Sequence, residues 1–130
     1  MKALIDLAVA ARDAAYAPYS SHPVGAALCT VGGQVFCGCN VENAAYPEGL
    51  CAEAGAISAM ILAGEKQISD VVIAGPGEHL CTPCGGCRQK IREFSTSATR
   101  IHIVTRSGKV SSFQFSDLLP ESFGPECLDV

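Results

Sequence analysis

The sequence predicts an α/β protein built on a mixed five-stranded sheet. Three observations support this prediction: five short apolar runs have strand character, helical patterns separate some of them, and short turns join others. Strands joined by a short turn must be antiparallel, whereas strands separated by a helix are expected to run parallel with a right-handed crossover. Because both kinds of connection occur in this chain, we expect the sheet to be mixed.

The first helix is predicted from apolar residues that recur at helical spacing near the start of the chain. They are Leu4, Leu7, Ala8, Ala11 and Ala15. The pattern stops before Pro18, since proline interrupts a helix. We expect this apolar stripe to pack against the core.

A β-hairpin follows the first helix, with strands over residues 24–30 and 35–41. Gly32 and Gly33 join the two strands, and glycine tolerates the positive φ angles of a tight turn. Residues 42–50 are interpreted as a loop that leads directly into the next helix.

The second helix is predicted over residues 51–63 and is closed by Gly64. The continuous apolar run at residues 71–74 predicts a strand that is buried on both faces. A third helix is predicted from Pro83 to about Phe94, because proline in the first helical turn has no hydrogen-bond donor to lose.

The last two strands are predicted over residues 101–105 and 110–115, on either side of a turn at residues 107–109. A short helical turn at residues 116–119 ends at Pro120. The tail that follows has too few apolar residues to fold alone.

Composition limits the classes of function that this chain can have. Its 130 residues are 48% hydrophobic and 17% charged, which predicts a single domain over residues 1–130 with a substantial core. The formal net charge of −4 argues against a nucleic-acid partner, because phosphates require a basic surface. The apolar first 15 residues are interrupted by Asp6, Arg12 and Asp13, so they predict neither a signal peptide nor a membrane span. We therefore expect a cytoplasmic protein with a small-molecule substrate and no membrane partner.

The eight cysteines indicate metal binding rather than disulfides, because C-x-x-C spacing in a cytoplasmic chain is typical of metal sites. They occupy positions 29, 37, 39, 51, 81, 84, 87 and 127. Cys84 and Cys87 are three residues apart at the start of a predicted helix, and Cys51 opens another. Three thiolates suit zinc and leave a fourth coordination position for water, whose pKa zinc lowers to about 7. Glu53 is the only carboxylate close to this cluster in sequence, so it is the candidate acid and base.

Two other readings of the cysteines remain open at this point. The run Cys81, Cys84 and Cys87 resembles an iron–sulfur spacing, and with Cys51 it would make a closed four-cysteine zinc site. The run lacks a downstream Cys-Pro, and both readings leave Glu53 without a role. Arg88 either belongs to a solvated helix face or offsets thiolate charge.

Several motifs in order along the chain resemble the small, homotetrameric, three-cysteine cytidine deaminases, from about Ala14 to Glu126. The matching stretches are Tyr19-Ser20, Pro23-Val24-Gly25-Ala26-Ala27-Leu28, Gly38-Cys39-Asn40-Val41-Glu42-Asn43-Ala44, Cys51-Ala52-Glu53, Pro83-Cys84-Gly85-Gly86-Cys87-Arg88-Gln89, Leu118-Leu119-Pro120 and Ser122-Phe123-Gly124-Pro125-Glu126. Each stretch is weak alone, and their joint order is specific.

The resemblance implies a three-layer α/β/α sandwich and hydrolytic deamination of cytidine or 2′-deoxycytidine to the uridine nucleoside and ammonia, as in pyrimidine salvage. It implies one Zn²⁺ per chain on Cys51, Cys84 and Cys87, with Glu53 as the proton shuttle. It also implies a homotetramer, with Tyr46 near a subunit interface.

The same resemblance implies a set of substrate-binding residues. Asn40 and Glu42 would hold the ribose hydroxyls, the Ala52 backbone and the Thr82 carbonyl would read the pyrimidine edge, and Phe123 would come from a neighbouring subunit.

Two positions depart from the pattern of the three-cysteine relatives. Ala54 stands where many have an arginine, so a cation that would offset the triple-thiolate charge is missing. His22 stands where most have a base-stacking phenylalanine, and a histidine can stack but can also titrate near neutrality. These departures leave a modified cytosine nucleoside, such as the antibiotic blasticidin S, as an alternative substrate.

Overall fold

The computed structural model describes residues 1–128 and contains one five-stranded sheet. The strands are β1 (Gly25–Thr30), β2 (Val35–Cys39), β3 (Ile68–Ala74), β4 (Ser95–Val104) and β5 (Val110–Gln114). Their order across the sheet is β2-β1-β3-β4-β5. β1 is antiparallel to both β2 and β3, β3 is parallel to β4, and β4 is antiparallel to β5. The predicted mixed sheet is therefore confirmed.

The helices lie close to where the sequence predicts them: one before β1, one between β2 and β3, one between β3 and β4, and a short one after β5. They are α1 (Lys2–Asp13), α2 (Ala52–Leu62), α3 (Gly85–Phe94) and the short α4 (Phe115–Leu118). Single 3₁₀ turns occur at Tyr46–Glu48 and Pro125–Leu128. Within the described part of the chain, no helix has both the length and the apolarity that crossing a bilayer requires.

Helices cover both faces of the sheet and make three layers. On one face, Leu4 and Ala8 of α1 pack with Ala27, Val72 and Val104 of the strands. A larger cluster fills the opposite face, and its buried members are Leu28, Ala56, Ile57, Met60, Ile68, Val71, Ile73, Ile91, Ile101, Ile103 and Phe115. Because this second cluster includes residues of α2 and α3, the three-layer α/β/α arrangement is confirmed.

The buried stripe of α1 differs from the prediction. Leu4, Ala8 and Arg12 are buried, whereas Leu7 is 40% exposed. The backbone of α1 lies directly on β1: a Cβ atom at Gly25 would be 2.1 Å from the Ala8 carbonyl oxygen. Because the helix lies so close to the sheet, its face with Leu4, Ala8 and Arg12 is turned inward. The Arg12 Nη1 atom donates a hydrogen bond to the Gly75 carbonyl at 3.1 Å.

The starts of three elements also differ from the prediction. α3 begins at Gly85 with Cys84 as its N-cap, so the prediction that Pro83 lies in the first helical turn is wrong. β3 and β4 begin earlier than predicted, because Ile68 pairs with Ser95 and the Thr99 hydroxyl donates to the Ile68 carbonyl at 2.6 Å.

The C-terminal tail is held by α3 rather than by a core of its own. The Arg92 Nε atom donates to the Ser122 hydroxyl at 2.8 Å, and its Nη2 atom donates to the Glu126 carboxylate at 2.9 Å. The predicted domain and tail extend to Val130, and the last two positions lie outside the described residues.

Candidate metal centre and active site

Three cysteines meet where the N-termini of α2 and α3 converge. Cys51 and Cys84 are the N-cap residues of these two helices, and Cys87 lies buried in the first turn of α3. The Sγ atoms of Cys51 and Cys84 are 4.0 Å apart, and all three Sγ atoms lie within 4.8 Å of one another. Helix N-termini carry partial positive charge, so this position favours thiolates.

The spacing of the three sulfurs fits a zinc ion. A tetrahedral zinc ion with Zn–S bonds of about 2.3 Å holds its sulfur ligands about 3.8 Å apart. Among residues 1–128, this is the only group of three or more cysteine, histidine or carboxylate side chains with ligand atoms so close together. Cys81 does not belong to the group, so the structure does not support a four-cysteine site.

The three thiols differ in acidity before a metal binds. The backbone N–H of Cys87 is the main cause that lowers the pKa of Cys84. Burial raises the pKa of Cys51, and burial together with the negative charge of Glu53 raises the pKa of Cys87 well above the usual range. Metal binding must therefore displace protons from Cys51 and Cys87, as thiolate coordination requires.

Glu53 points from the first turn of α2 into the region beside the cluster. The residue is only 5% exposed, and burial raises the pKa of its carboxyl above the ordinary value. The backbone N–H of Glu53, the Lys90 ammonium and the Cys87 thiol partly oppose this effect. Lys90 folds back along α3, so that its Nζ atom lies 3.7 Å from where a Cβ atom at Gly86 would be. The Lys90 cation of α3 therefore acts on the Glu53 carboxylate.

A cavity of about 260 Å³ opens beside the cluster and Glu53. Its lining consists of His22, Val24, Asn40, Cys51, Ala52, Glu53, Cys81, Thr82 and Cys84. The volume is close to the lower end of the range for small-molecule sites. The structure thus brings most of the predicted substrate-binding residues together, with Glu42 and Phe123 as the exceptions.

Asn40 holds the segment that carries His22. Its Oδ1 atom accepts a hydrogen bond from the Val24 N–H at 2.8 Å, and its Nδ2 atom donates to the His22 carbonyl at 3.0 Å. An amide nitrogen has two hydrogens, so one donor of Asn40 is left over after these bonds.

Glu42 faces a neighbouring cavity of about 350 Å³, which is lined by Tyr19, Ser20, Asn43, Tyr46 and Gly49 as well as Glu42 itself. Its carboxylate accepts hydrogen bonds from the Tyr19 N–H at 2.9 Å, the Ser20 N–H at 3.1 Å and the Ser20 hydroxyl. These bonds, with the Ser20 hydroxyl first, lower the pKa of Glu42. Ser20 was not among the predicted site residues, although it belongs to a motif that carried the resemblance.

Phe123 lies away from the cavity in this single chain and is 54% exposed. Its carbonyl accepts a hydrogen bond from the Gln89 Nε2 atom at 3.1 Å, which fixes the backbone to α3. The aromatic ring is therefore presented outward from the tail.

Arg88 supports the loop of residues 82–84, here called the metal loop, through three hydrogen bonds. Its guanidinium donates to the carbonyls of Pro83 and Leu118, each at 2.7 Å, and to the Thr82 hydroxyl at 3.1 Å. These acceptors tie the loop before α3 to the end of α4. The guanidinium thus orients Thr82 as well, a role that the sequence did not indicate.

Comparisons with known proteins give a consistent result. Residues 1–103 match the family described as "Cytidine and deoxycytidylate deaminase zinc-binding region". A cytidine deaminase of Sporosarcina psychrophila is 36% identical over 118 residues, which cover 91% of this chain and 87% of that relative. The crystal structure of a cytidine deaminase from Burkholderia pseudomallei has a TM-score of 0.88 and 41% identity, covering 94% of this chain and 98% of that chain. A cytidine deaminase from Mycobacterium tuberculosis has a TM-score of 0.80 and 34% identity, covering 95% of this chain and 96% of that chain.

Proposed function

Because the chain belongs to the family of zinc-binding cytidine and deoxycytidylate deaminases, we propose that it hydrolyses cytidine and 2′-deoxycytidine to the uridine nucleosides and ammonia. One observation carries this proposal: a buried carboxylate, Glu53, lines the same cavity as two of the three clustered cysteines. A purely structural metal site would not need an acid placed beside it. The uridine nucleosides formed in this reaction are products of the kind used in pyrimidine salvage.

The cluster of Cys51, Cys84 and Cys87 fits one zinc ion per chain. When bound, zinc supplies Lewis acidity that lowers the pKa of water from about 15.7 to about 7. Three protein ligands match the ligand number of catalytic zinc sites, in which the fourth position stays open. In the overall reaction, a C–O bond forms at C4 of the cytosine, the C–N bond to the amino group breaks, and ammonia leaves.

Glu53 is the residue that moves protons in this scheme. Its carboxylate accepts a proton from the attacking water and passes it to N3 of the cytosine ring. It then accepts the second proton and delivers it to the departing amino group. Because Glu53 is buried, these transfers are separated from bulk water, so a proton held there returns to the substrate.

The remaining residues of the cavity are proposed to bind the nucleoside. The Ala52 backbone and the Thr82 carbonyl contact the pyrimidine edge, and His22 lies against the ring. Asn40 contributes its unused N–H to a ribose hydroxyl, since its other polar groups hold the backbone near His22. Glu42 reaches the ribose from the neighbouring cavity.

We also propose that the chain assembles as a homotetramer in the cytoplasm. Exposed aromatic side chains support the assembly: Tyr46 is 76% exposed, and its ring packs edge-on against Tyr19 at 6.0 Å between centroids. A neighbouring subunit would bring its Phe123 to this surface. The eight free cysteines support a reducing compartment. Sedimentation velocity of the purified protein tests the assembly, and a monomer at micromolar concentration would contradict it.

The experiment that tests the proposed activity is a substrate panel. Cytidine, 2′-deoxycytidine and blasticidin S are incubated with the zinc-loaded protein, and absorbance loss and ammonia release are measured before and after chelation. We expect rapid deamination of the first two and loss of activity on chelation. A strong preference for blasticidin S would favour the alternative substrate, and no ammonia from any of the three would overturn the proposal.

A further inference from the structure

Two side chains that line the cavity beside Glu53, Cys81 and His22, contact each other directly. The Cys81 Sγ atom lies 3.8 Å from the His22 Nε2 atom, although 59 residues separate them in sequence. Both residues line the cavity that contains Glu53. Cys81 lies outside the metal cluster, so the zinc chemistry leaves this thiol without a role.

The backbone of His22 is held at both of its polar groups. Its N–H donates a hydrogen bond to the Ser20 hydroxyl at 3.0 Å, and its carbonyl accepts one from the Asn40 Nδ2 atom at 3.0 Å. These contacts fix where the side chain starts but not how the imidazole ring is turned. Among the hydrogen bonds of the described residues, the ring has one partner, the Cys81 thiol.

Cys81 is itself tightly placed. A Cβ atom at Gly75 would lie 2.6 Å from the Cys81 Cβ atom, so the cysteine packs directly against the backbone at the end of β3. Burial raises the pKa of the Cys81 thiol, and the negative charge of Glu53 adds to this effect. The thiol therefore keeps its proton at neutral pH and can donate it to a ring nitrogen, which makes Cys81 a weak hydrogen-bond donor.

We propose that Cys81 is a positioning residue that fixes the orientation and tautomer of the His22 ring and thereby sets the affinity for cytosine nucleosides. The inference rests on the proposed function, because it concerns the same cavity. With the thiol donating to Nε2, the ring proton resides on Nδ1, and the imidazole presents one defined face and one defined donor. A phenylalanine at this position would need no such partner, since its ring has no polar atom to satisfy.

The proposal therefore predicts that the two residues act as a unit. Removing the thiol should weaken substrate binding only when position 22 is histidine. A sulfhydryl hydrogen bond is weak, so we expect Cys81→Ala to raise KM for cytidine about two- to fivefold, with kcat changed by less than about twofold. In the His22→Phe background, the same Cys81→Ala change should leave KM unaltered.

The experiment is a double-mutant cycle on the zinc-loaded enzyme, with Cys81→Ala, His22→Phe and the double variant compared with the wild type. KM and kcat for cytidine and the inhibition constant of uridine are measured for each. Cys81→Ser should restore a KM near that of the wild type, because a hydroxyl also donates. Cys37→Ala removes an exposed thiol on β2 and serves as the matched control with unchanged kinetics.

Two kinetic results would overturn the proposal. One is an equal rise in KM on Cys81→Ala in both backgrounds, which indicates simple loss of packing. The other is no change on Cys81→Ala in either background. A merely structural role would also fail to produce rescue by serine.

Nitrogen-15 NMR of the imidazole keeps this test separate from the proposed function. The wild-type spectrum should show the His22 proton on Nδ1, and Cys81→Ala should shift the signals towards a mixture of tautomers. If the wild type neither deaminates cytidine nor binds uridine, the proposed function fails, and this spectrum still decides whether Cys81 orients His22. An unchanged His22 spectrum in Cys81→Ala would contradict the pairing.

Discussion

The Sγ atoms of Cys51 and Cys84 lie 4.0 Å apart, although 33 residues separate them along the chain. Each cysteine is the N-cap residue of a helix, so the two helix starts are brought together at one point. The contact places Glu53, two residues into the first of these helices, beside the metal loop of the second. The convergence of α2 and α3 therefore builds both the metal cluster and the proposed reaction centre.

Replacing a metal ligand should remove zinc without unfolding the sheet. For Cys84→Ala, we expect zinc affinity to fall by about a hundredfold or more and deaminase activity to be lost, because only two sulfurs remain. Zinc content and competition with a chelator measure the effect. Cys37→Ala, which removes an exposed thiol elsewhere, should keep its zinc. Full zinc retention in Cys84→Ala would exclude Cys84 as a ligand.

Removing the Arg88 guanidinium should loosen the metal loop. Its three acceptors on Pro83, Leu118 and Thr82 would lose their donor, so Arg88→Ala should lower the free energy of unfolding by about 2–3 kcal/mol. KM for cytidine should also rise, because Thr82 is no longer oriented. Urea unfolding and steady-state kinetics measure the two effects. The exposed Arg106 offers a matched control, and an equal loss in Arg106→Ala would contradict this role.

Gly25 is required because α1 lies directly on it. A methyl group at this position would lie 2.1 Å from the Ala8 carbonyl oxygen and 2.2 Å from the Arg12 backbone nitrogen, so the helix would have to move. We expect Gly25→Ala to lower the free energy of unfolding by about 3 kcal/mol or more. Gly77→Ala meets no atom within 4 Å and should cost little. Similar stability of both variants in thermal unfolding would show that α1 is not packed so closely.

Glu78 should contribute stability that depends on pH. Its carboxylate accepts hydrogen bonds from the Ser107 N–H and hydroxyl, at 2.9 and 2.6 Å, and the hydroxyl contact is the main cause that lowers the pKa of Glu78 below 4.5. The pKa of Glu78 is therefore lower in the folded protein than in the unfolded chain. The stability that the carboxylate contributes is present above about pH 4.5 and is lost as the pH falls through the pKa of the folded state.

Glu78→Gln should therefore lower the Tm slightly at pH 7, and the difference from the wild type should shrink below about pH 4.5. Thermal unfolding between pH 3 and pH 7 measures this difference. A difference that grows as the pH falls would have the wrong sign for the account.

Much of the fold could be predicted because local patterns determine it. Gly32 and Gly33 specify a hairpin, and the helix before β4 requires a parallel crossover. The antiparallel pairing of β1 with β3 could not be predicted, since it joins segments that are far apart in sequence. The burial of Arg12 was missed for a similar reason: its acceptor on Gly75 lies 63 residues away.

The same distinction between local patterns and contacts across distant segments applies to the candidate site. That Cys51, Cys84, Cys87 and Glu53 lie close together could be predicted, because their chemistry is visible as short spacings at helix starts. The contact between Cys81 and His22 could not be predicted, because no local pattern links a cysteine before the metal loop to a residue before β1.

The most direct test of the account is Glu53→Gln, because it separates the metal site from the chemistry. The amide keeps the size of the side chain but cannot carry protons between water and cytosine. We predict that the variant retains one zinc ion per chain and binds uridine like the wild type, while kcat for cytidine falls by about a hundredfold to ten-thousandfold. Near-normal kcat with zinc still bound would contradict the assignment of Glu53 and with it the proposed mechanism.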